Sequence, residues 1–384
     1  MTTLNPHLAG FECLRCKARY PVADYPEGCP ACLEAGYPAS VVPVYGPGLP
    51  ALRFAGGRRG MARFAERLPY PDFATLGEGG TPLVSLPSLA AELGLESLRL
   101  KLESANPTGS HKDRMSAQFV ARAVDRGAPG VIAASSGNAG ASLAAYAALA
   151  RMPCTIVTTR AITPPWRWAI EMAGAAIVYA DDSLERWAIV RRMVREEGFA
   201  SATNYLDPPV GSDPYGVEGY KTLGYELAED PDAASADVIV VPTARGDLLW
   251  GIHRGLADAM EAGLAARLPR LVAAEPFPRI ERVLDGADYR DHFPGKNRLA
   301  SIGGATVTWQ AVAALTRSRG TAVAVGEADA SADQGVLARN GCHLELSAAA
   351  ALTALRRLRE RGEGRRIRSA VLIATSHGYK EDAR

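Results

Sequence analysis

The sequence lacks an excess of charge of either sign. Its 43 lysine and arginine residues are balanced by 42 aspartate and glutamate residues, which leaves a formal net charge of +1. Proteins that bind nucleic acid or an anionic membrane through a broad electrostatic field usually carry a basic surplus. We therefore expect neither nucleic acid nor a membrane surface as a partner.

Long apolar runs and targeting signals are missing as well. No stretch approaches the roughly 18 apolar residues of a membrane span. Residues 1–7 carry neither the basic nor the apolar region of a secretory signal, so we expect a cytoplasmic location. There is no internal repeat and no low-complexity tract. What remains is a chain of 384 residues, 47% hydrophobic, which is long enough for two or three packed units.

Cysteine is scarce, and four of the six cysteines are clustered. Cys13 and Cys16 are separated by two residues, as are Cys29 and Cys32, and twelve residues lie between the pairs. Thiolates at this spacing are typical of a tetrahedral zinc site, and in a cytoplasmic chain metal is favoured over disulfides. We predict a structural Zn²⁺ ribbon over residues 1–40, with four free thiols as the alternative. A closed four-cysteine site has no open coordination position, so we do not expect zinc to take part in chemistry.

The most informative stretch is a turn between a predicted strand and a predicted helix. Residues 98–102 alternate apolar and charged side chains, and an apolar helical face follows Arg114. Ser110 is the predicted N-cap, which places Lys112 in the first turn of the helix. The helix dipole and burial at a sheet edge both disfavour the ammonium form, and a neutral lysine is a nucleophile that can form a Schiff base. The alternative is a solvated lysine that pairs with Asp113.

This stretch, Pro107-Thr108-Gly109-Ser110-His111-Lys112-Asp113-Arg114, resembles the lysine motif of threonine synthase and its relatives, the fold-type II pyridoxal-phosphate enzymes. The family usually has Phe where this chain has His111. Glu78-Gly79-Gly80-Thr81-Pro82-Leu83 resembles the entry to the catalytic body of the same family. The resemblance implies that Lys112 carries pyridoxal 5'-phosphate covalently, that the substrate is a small amino acid, and that the protein is a homodimer.

The remaining sequence fits an α/β fold, because near-continuous apolar strands alternate with helices and so favour a parallel sheet covered on both faces. The resemblance implies two doubly wound lobes with the cofactor between them. We predict a zinc ribbon at 1–40, a connecting arm at 41–75, and a catalytic body at 76–384 whose small lobe, roughly 113–205, is inserted in the large lobe. The predicted strands are 98–102, 131–134, 154–158, 176–179, 238–241, 271–274 and 371–374, and the predicted helices beyond the one at Lys112 are 139–149, 164–172 and 184–197.

Two further turns are predicted to bind the substrate and the cofactor ring. Ser135, Ser136 and Asn138 lie between a strand and a helix, where hydroxyls and free backbone donors form an anion site. By resemblance all three bind the substrate carboxylate, and Asn138 also contacts the cofactor ring; the alternative is a plain helix cap. Thr375, in a segment similar to the Thr-Gly-His-Gly-Leu-Lys segment of threonine synthases, is predicted to face the pyridine nitrogen. A neutral hydroxyl there favours elimination and replacement chemistry.

The predicted phosphate loop departs from the family pattern. It comprises Thr243, Ala244, Arg245, Gly246 and Asp247, where relatives have a glycine-rich loop. Either Arg245 binds the cofactor phosphate directly, or it points away and the backbone binds the phosphate. Asp247 requires a partner or an outward orientation, since a carboxylate beside a phosphate is unfavourable.

The segment Val217-Glu218-Gly219-Tyr220-Lys221-Thr222 resembles a helix start of threonine synthases, but Gly216 stands where the family has an arginine that grips the substrate phosphate. The main interpretation is a pyridoxal-phosphate-dependent lyase close to threonine synthase, which converts O-phosphohomoserine to threonine and phosphate. The first alternative is a β-elimination or β-replacement enzyme that acts on serine, threonine or phosphoserine. The second is a catalytically weak relative with a binding or regulatory role.

Overall fold

The computed structural model describes residues 3–54, 57–362 and 367–381. The chain divides into two units by its contacts: Met1–Gly79, Asn106–Tyr220 and Lys380–Arg384 form the first, and Gly80–Ala105 with Lys221–Tyr379 form the second. The predicted division into ribbon, arm and lobes stays a prediction. Among the described residues, no helix combines the length and the apolar character needed to cross a lipid bilayer.

The elements of the described chain are as follows. The strands are β1 Leu8–Cys13, β2 Arg19–Tyr20, β3 Val41–Tyr45, β4 Leu83–Ser85, β5 Ser97–Lys101, β6 Val131–Ala134, β7 Cys154–Thr159, β8 Ala176–Ala180, β9 Ala200–Ser201, β10 Val238–Pro242, β11 Arg270–Glu275, β12 Thr321–Ala324 and β13 Ser369–Ile373. The α-helices are α1 Pro30–Glu34, α2 Pro87–Glu92, α3 Lys112–Asp125, α4 Asn138–Leu149, α5 Pro164–Met172, α6 Ser183–Glu197, α7 Pro214–Glu218, α8 Lys221–Glu229, α9 Pro231–Ala234, α10 Asp247–Glu261, α11 Ile280–Leu284, α12 Trp309–Ser318, α13 Glu327–Arg339 and α14 Leu346–Glu360.

The predicted α/β architecture with parallel sheets is confirmed. Each predicted strand and helix is present with its boundaries within about two residues, and β6 and α5 match the prediction residue for residue. Proline begins α1, α2, α5, α7 and α9, because its fixed φ suits the first helical position, where no amide hydrogen is needed. The elements β12, α12, α13 and α14 come from a stretch where the sequence patterns predict none.

The first unit contains two sheets. Its larger sheet has the order β8-β7-β6-β9 and is parallel throughout. Its smaller sheet is antiparallel, in the order β2-β1-β3, and β3 lies in the stretch predicted as an arm. Cys13 ends β1 and Cys16 lies in the turn before β2, whereas Cys29 and Cys32 lie at the start of α1 and in it. Ile132 and Val157 on the parallel sheet pack against Trp187 and Val190 of α6. This packing fixes the turns that follow β6 and precede α6.

The second unit is built on one sheet of order β12-β11-β10-β13-β5-β4. The strands are parallel except β4, which pairs with β5 in the antiparallel sense at the edge. Helix α14 is buried along most of its length, and its alanine run, 348–351, packs in the same core as Val238, Val240 and Leu372. Because β10 and β13 are parallel neighbours, the residues that follow them, Thr243 and Thr375, lie at the same carboxyl edge.

Candidate active site

Lys112 is the first residue of α3 and is half-buried in the first unit. Its Nζ lies 5.7 Å from the centroid of the Tyr220 ring. The preceding His111 is buried, and its ring centroid lies 5.6 Å from that of Tyr220. The prediction that Ser110 is the N-cap is wrong by one residue: His111 occupies the N-cap with αR dihedrals, and Ser110 Oγ lies 3.4 Å from the Lys112 amide nitrogen.

The carboxylate next to the lysine fixes the turn around it. Asp113 is fully buried and accepts hydrogen bonds from the Thr108 amide at 2.7 Å, from the Thr108 hydroxyl, and from Ser142 Oγ at 2.7 Å. Burial raises the pKa of Asp113, and these three hydrogen bonds oppose that shift. Since Ser142 belongs to α4, Asp113 ties the Lys112 turn to the helix that begins at Asn138.

A second lysine joins the same two turns. Lys380 Nζ donates to Asn138 Oδ1 at 2.6 Å and to the Thr108 carbonyl oxygen at 2.9 Å, and it lies 4.4 Å from the centroid of the Trp166 ring. The amide of Asn138 is therefore oriented with its oxygen toward Lys380 and its donor hydrogens away from it. Asn138 itself is buried.

The two serines before α4 have different partners. Ser135 Oγ accepts from the Gly140 amide at 2.9 Å and from the Gly137 amide at 3.3 Å, so this hydroxyl caps the helix. Ser136 Oγ instead accepts from Thr158 Oγ1 at 2.8 Å and from Arg186 Nη1 at 3.0 Å. The first unit thus brings Lys112, Ser135, Ser136 and Asn138 into one linked set of turns.

Packing explains why glycine stands at position 216. A Cβ there would lie 3.0 Å from Met115 Cγ and 3.1 Å from Phe119 Cβ, both on α3. A Cβ at Gly219 would lie 2.1 Å from the Arg114 carbonyl oxygen. Helix α7 is therefore in close contact with α3, and an arginine at position 216 would require Met115 or Phe119 to shift by a few tenths of an ångström.

In the second unit, the predicted phosphate loop is closely braced. Gly246 has φ of +93°, and a Cβ there would lie 2.5 Å from the Ala311 Cβ, so only glycine fits. Gln310 Nε2 donates to Asp247 Oδ1, which gives this carboxylate the partner it requires. The Thr308 hydroxyl donates to the Arg245 carbonyl oxygen.

Arg279 lies behind this loop and is fully buried. Its guanidinium donates to the carbonyl oxygens of Thr243 at 2.8 Å, Ile302 at 2.9 Å and Gly304 at 2.6 Å, and forms a 3.4 Å ion pair with Glu275. Burial lowers the pKa of Arg279 to about 10, with Glu275 opposing the shift. Arg279 therefore holds Thr243 in place through the backbone.

Arg245 shares this neighbourhood. Its Nη1 and the Nη1 of Arg279 each lie 3.9 Å from the position that a Cβ at Gly304 would take. Burial lowers the pKa of Arg245, and Asp247 opposes the shift. Two guanidinium groups therefore converge beside the loop that precedes α10.

The four clustered cysteines lie together in the first unit, with all four sulfur atoms within 4.8 Å of one another. Cys13 Sγ and Cys32 Sγ are 3.7 Å apart, as are Cys16 Sγ and Cys29 Sγ. A tetrahedron with metal–sulfur bonds of about 2.3 Å has edges of about 3.8 Å, whereas a disulfide needs about 2.05 Å. The cluster therefore has the dimensions of a four-thiolate metal site.

Sequence reasoning missed Arg186 and Arg279. Arg186 is 50 positions from Ser136, and Arg279 belongs to no recognisable motif, so neither carries a signal that could have revealed it. Lys380 ends the segment that contains Thr375, and its position there was a usable signal. Three other cations that could meet a substrate phosphate in place of an arginine at position 216 are Arg160, Arg167 and Lys221. Arg160 lies over the Tyr179 ring, Arg167 pairs with Glu171, and Lys221 is buried at the start of α8.

Each of the two units, taken by itself, has residues that fit pyridoxal 5'-phosphate. The first unit supplies a lysine in a fixed turn and an oriented asparagine amide. The second supplies a tight glycine turn at the start of the 15-residue helix α10, where backbone N–H groups and the helix dipole favour a phosphate. Thr375 is buried at the same edge of the sheet. Each feature belongs to the chemistry of this cofactor.

Comparison with known proteins agrees with this chemistry. The model of the family described as pyridoxal-phosphate dependent enzyme matches residues 74–376. The chain belongs to this family and is a pyridoxal-phosphate-dependent lyase of the threonine synthase-like, fold-type II group.

Two curated relatives are threonine synthases from archaea. The protein from Methanosarcina acetivorans is 30% identical over 337 residues, which is 83% of this chain and 80% of the relative. The one from Methanocaldococcus jannaschii is 31% identical over 339 residues, 84% of this chain and 81% of the relative. Among solved structures, maize serine racemase superposes with a TM-score of 0.68 at 22% identity, covering 83% of this chain and 94% of that one, and shows the same fold.

Proposed function

We propose that this protein is a threonine synthase, which converts O-phosphohomoserine to threonine and phosphate with pyridoxal 5'-phosphate held on Lys112. The observation that carries the proposal is the linkage of the Lys112 turn to the Ser135–Asn138 turn, through Asp113 with Ser142 and through Lys380. This linkage supports the proposal, because hydrogen bonds join the turn of Lys112 to the turn proposed to bind the carboxylate. The sequence identity to threonine synthases supports the same activity.

Each residue has a defined role in this proposal. The bound cofactor supplies an electron sink for the carbon atom next to the amino group. Lys112 holds the cofactor, and its amine, once released, removes the proton from that carbon and later delivers a proton. The substrate carboxylate is bound by Ser135, Ser136 and Asn138. Ser135 contributes indirectly, because its hydroxyl caps α4 and so orders the N-terminus of the helix that receives the anion.

The second unit is proposed to hold the cofactor through its phosphate and its ring nitrogen. The amides of residues 244–247, at the N-terminus of α10, bind the phosphate, and Arg245 adds positive charge from beside Gly304. Thr243, held by Arg279, sets the position of the loop. The Thr375 hydroxyl donates a hydrogen bond to the pyridine nitrogen and does not hold this nitrogen protonated. The cofactor ring is then a weaker electron sink, which favours elimination and replacement.

The direct test is product analysis with the purified holoenzyme. We expect inorganic phosphate and threonine to form in equal amounts from O-phosphohomoserine, with turnover in the range of about 1–10³ s⁻¹. L-Serine and L-threonine serve as competing substrates, with 2-oxo acid formation as the readout. Oxo acid without phosphate release would replace the proposal with the second candidate.

That second candidate is a β-elimination or β-replacement enzyme on a serine-like or threonine-like amino acid. The close contact between Gly216 and α3 favours it, because a phosphate-gripping arginine at that position would crowd Met115 and Phe119. A substrate without a dianionic group does not need this arginine.

We further propose that the four-cysteine cluster binds one structural Zn²⁺. Two sulfur–sulfur separations of 3.7 Å support this zinc site. The Arg15 amide nitrogen also lies 3.3 Å from Cys13 Sγ, and the Cys32 amide nitrogen lies 3.4 Å from Cys29 Sγ. Cys29→Ser is expected to reduce the bound zinc from about one ion per chain to near zero, and to lower the thermal midpoint by several degrees. Metal analysis and thermal unfolding measure both effects.

Cys342→Ser is the matched control, since this half-buried thiol lies outside the cluster. It is expected to retain full zinc content. Equal zinc in the two variants would contradict the assignment.

A homodimer in the cytoplasm is proposed from the resemblance to the family, and sedimentation of the purified protein tests the dimer.

A further inference from the structure

The hydroxyl of Ser136 lies between two hydrogen-bond donors. Thr158 Oγ1 donates to it at 2.8 Å and Arg186 Nη1 at 3.0 Å. A serine hydroxyl has two lone pairs and one hydrogen. Because the two donors occupy both lone pairs, Ser136 can make a further hydrogen bond only by donating its own hydrogen.

Both donors are held in place by their surroundings. Thr158 is fully buried on β7. Arg186 is half-buried in the first turn of α6, and its Nη2 donates to Ser183 Oγ at 2.8 Å. Asp182 caps that turn, because its carboxylate accepts hydrogen bonds from the backbone amides of Leu184 and Glu185, both at 2.8 Å. The guanidinium therefore reaches Ser136 from a fixed base.

The charge of the guanidinium adds to this effect. A hydroxyl that accepts from a cation becomes a stronger donor, since hydrogen bonds in a chain polarise one another. The positive charge also favours an anion at the place to which Ser136 donates. A carboxylate accepts such a hydrogen bond, whereas a carboxamide of the same shape lacks the negative charge.

The other end of the same loop follows the same logic. Lys380 Nζ donates to Asn138 Oδ1 at 2.6 Å, so the acceptor atom of this amide also faces a cation. Arg186 thus donates to the Ser136 hydroxyl and Lys380 donates to the side-chain oxygen of Asn138. What the loop presents to a ligand is its hydrogen-bond donors.

We propose that Arg186 is a positioning residue that commits Ser136 to donate its hydrogen to the α-carboxylate of the substrate. The proposal rests on the assignment, made above, of Ser136 to that carboxylate. It also gives the first unit a cation at the substrate loop, in a chain that has glycine at position 216.

The test compares ligands that differ only in the carboxylate. The holoenzyme is titrated with L-threonine and with L-threoninamide, and the visible absorbance of the cofactor reports binding; L-serine and L-serinamide are a second pair. Arg186→Met is expected to weaken the binding of L-threonine about tenfold, the size of a lost hydrogen bond with charge assistance. Binding of L-threoninamide should change less than about twofold. Arg186→Lys, which keeps the charge, should recover part of the loss.

Arg192→Met is the matched control, because Arg192 is an exposed arginine on the same helix. It is expected to leave both affinities unchanged. Equal weakening for the acid and the amide would mean that Arg186 only supports the packing of the unit, and this would overturn the proposal, as would an unchanged affinity for the acid. A wild-type enzyme that binds these amino acids but releases no phosphate from O-phosphohomoserine would refute threonine synthase activity and leave the acid–amide comparison intact.

Discussion

Lys112→Ala is expected to lower turnover by at least about 10³-fold, because one side chain both holds the cofactor and moves the proton. Reduction of the wild-type holoenzyme with borohydride should add the mass of the cofactor to the peptide that contains Lys112. The variant should show no such addition. The overall fold should persist, since Asp113 makes buried hydrogen bonds that hold the turn.

Lys296→Ala is the control for the loss of a lysine, because Lys296 is exposed in the second unit. It is expected to keep wild-type turnover and the modified Lys112 peptide. A small primary amine added to Lys112→Ala should restore part of the turnover, as it supplies the missing base. Full turnover by Lys112→Ala, or cofactor mass on another lysine, would contradict the assignment.

Arg279→Met is expected to lower the free energy of unfolding by about 3–5 kcal/mol, since it leaves Glu275 buried without its cationic partner. The carbonyl oxygens of Thr243, Ile302 and Gly304 lose their donor at the same time. Urea unfolding measures the first effect. The loss of the donor to the Thr243 carbonyl oxygen should weaken cofactor binding, because Thr243 begins the predicted phosphate loop.

The double variant Glu275→Gln with Arg279→Met is expected to recover part of the lost stability, as it removes the unpaired charge. Arg282→Met, at an exposed position of α11, provides the comparison and should change the free energy of unfolding by less than about 0.5 kcal/mol. If Arg279→Met changed the free energy of unfolding as little as Arg282→Met, the buried contacts of Arg279 would not stabilise this part of the second unit.

The sequence could predict the elements whose side chains repeat with a clear period. β6 is four apolar residues between a Pro-Gly turn and a Ser-Ser turn, and it was placed without error. Helix α13 could not be found this way, since only Ala330, Asp333 and Leu337 along it are buried. Its position is decided by packing against α14, which periodicity in α13 alone does not encode.

The candidate site shows the same limit at the level of single residues. The motif around Lys112 predicts the lysine, but Asp113 was expected only as a partner of that lysine in the alternative interpretation. In the structure the Asp113 carboxylate accepts hydrogen bonds from Thr108 and Ser142. Ser135 and Ser136 are identical in type and adjacent in sequence. Only the structure distinguishes them, because their partners, Gly140 and Arg186, are brought there by the fold.

The contact at Gly216 also constrains how this lineage can change its substrate. An arginine at this position would place its Cβ 3.0 Å from Met115 Cγ and 3.1 Å from Phe119 Cβ, so one of these side chains must shift by a few tenths of an ångström or be replaced by a smaller one. Such a substitution on its own creates a void beside α7 and lowers stability. Either route to an arginine at position 216 lowers stability, so the residues at 115, 119 and 216 are expected to evolve together.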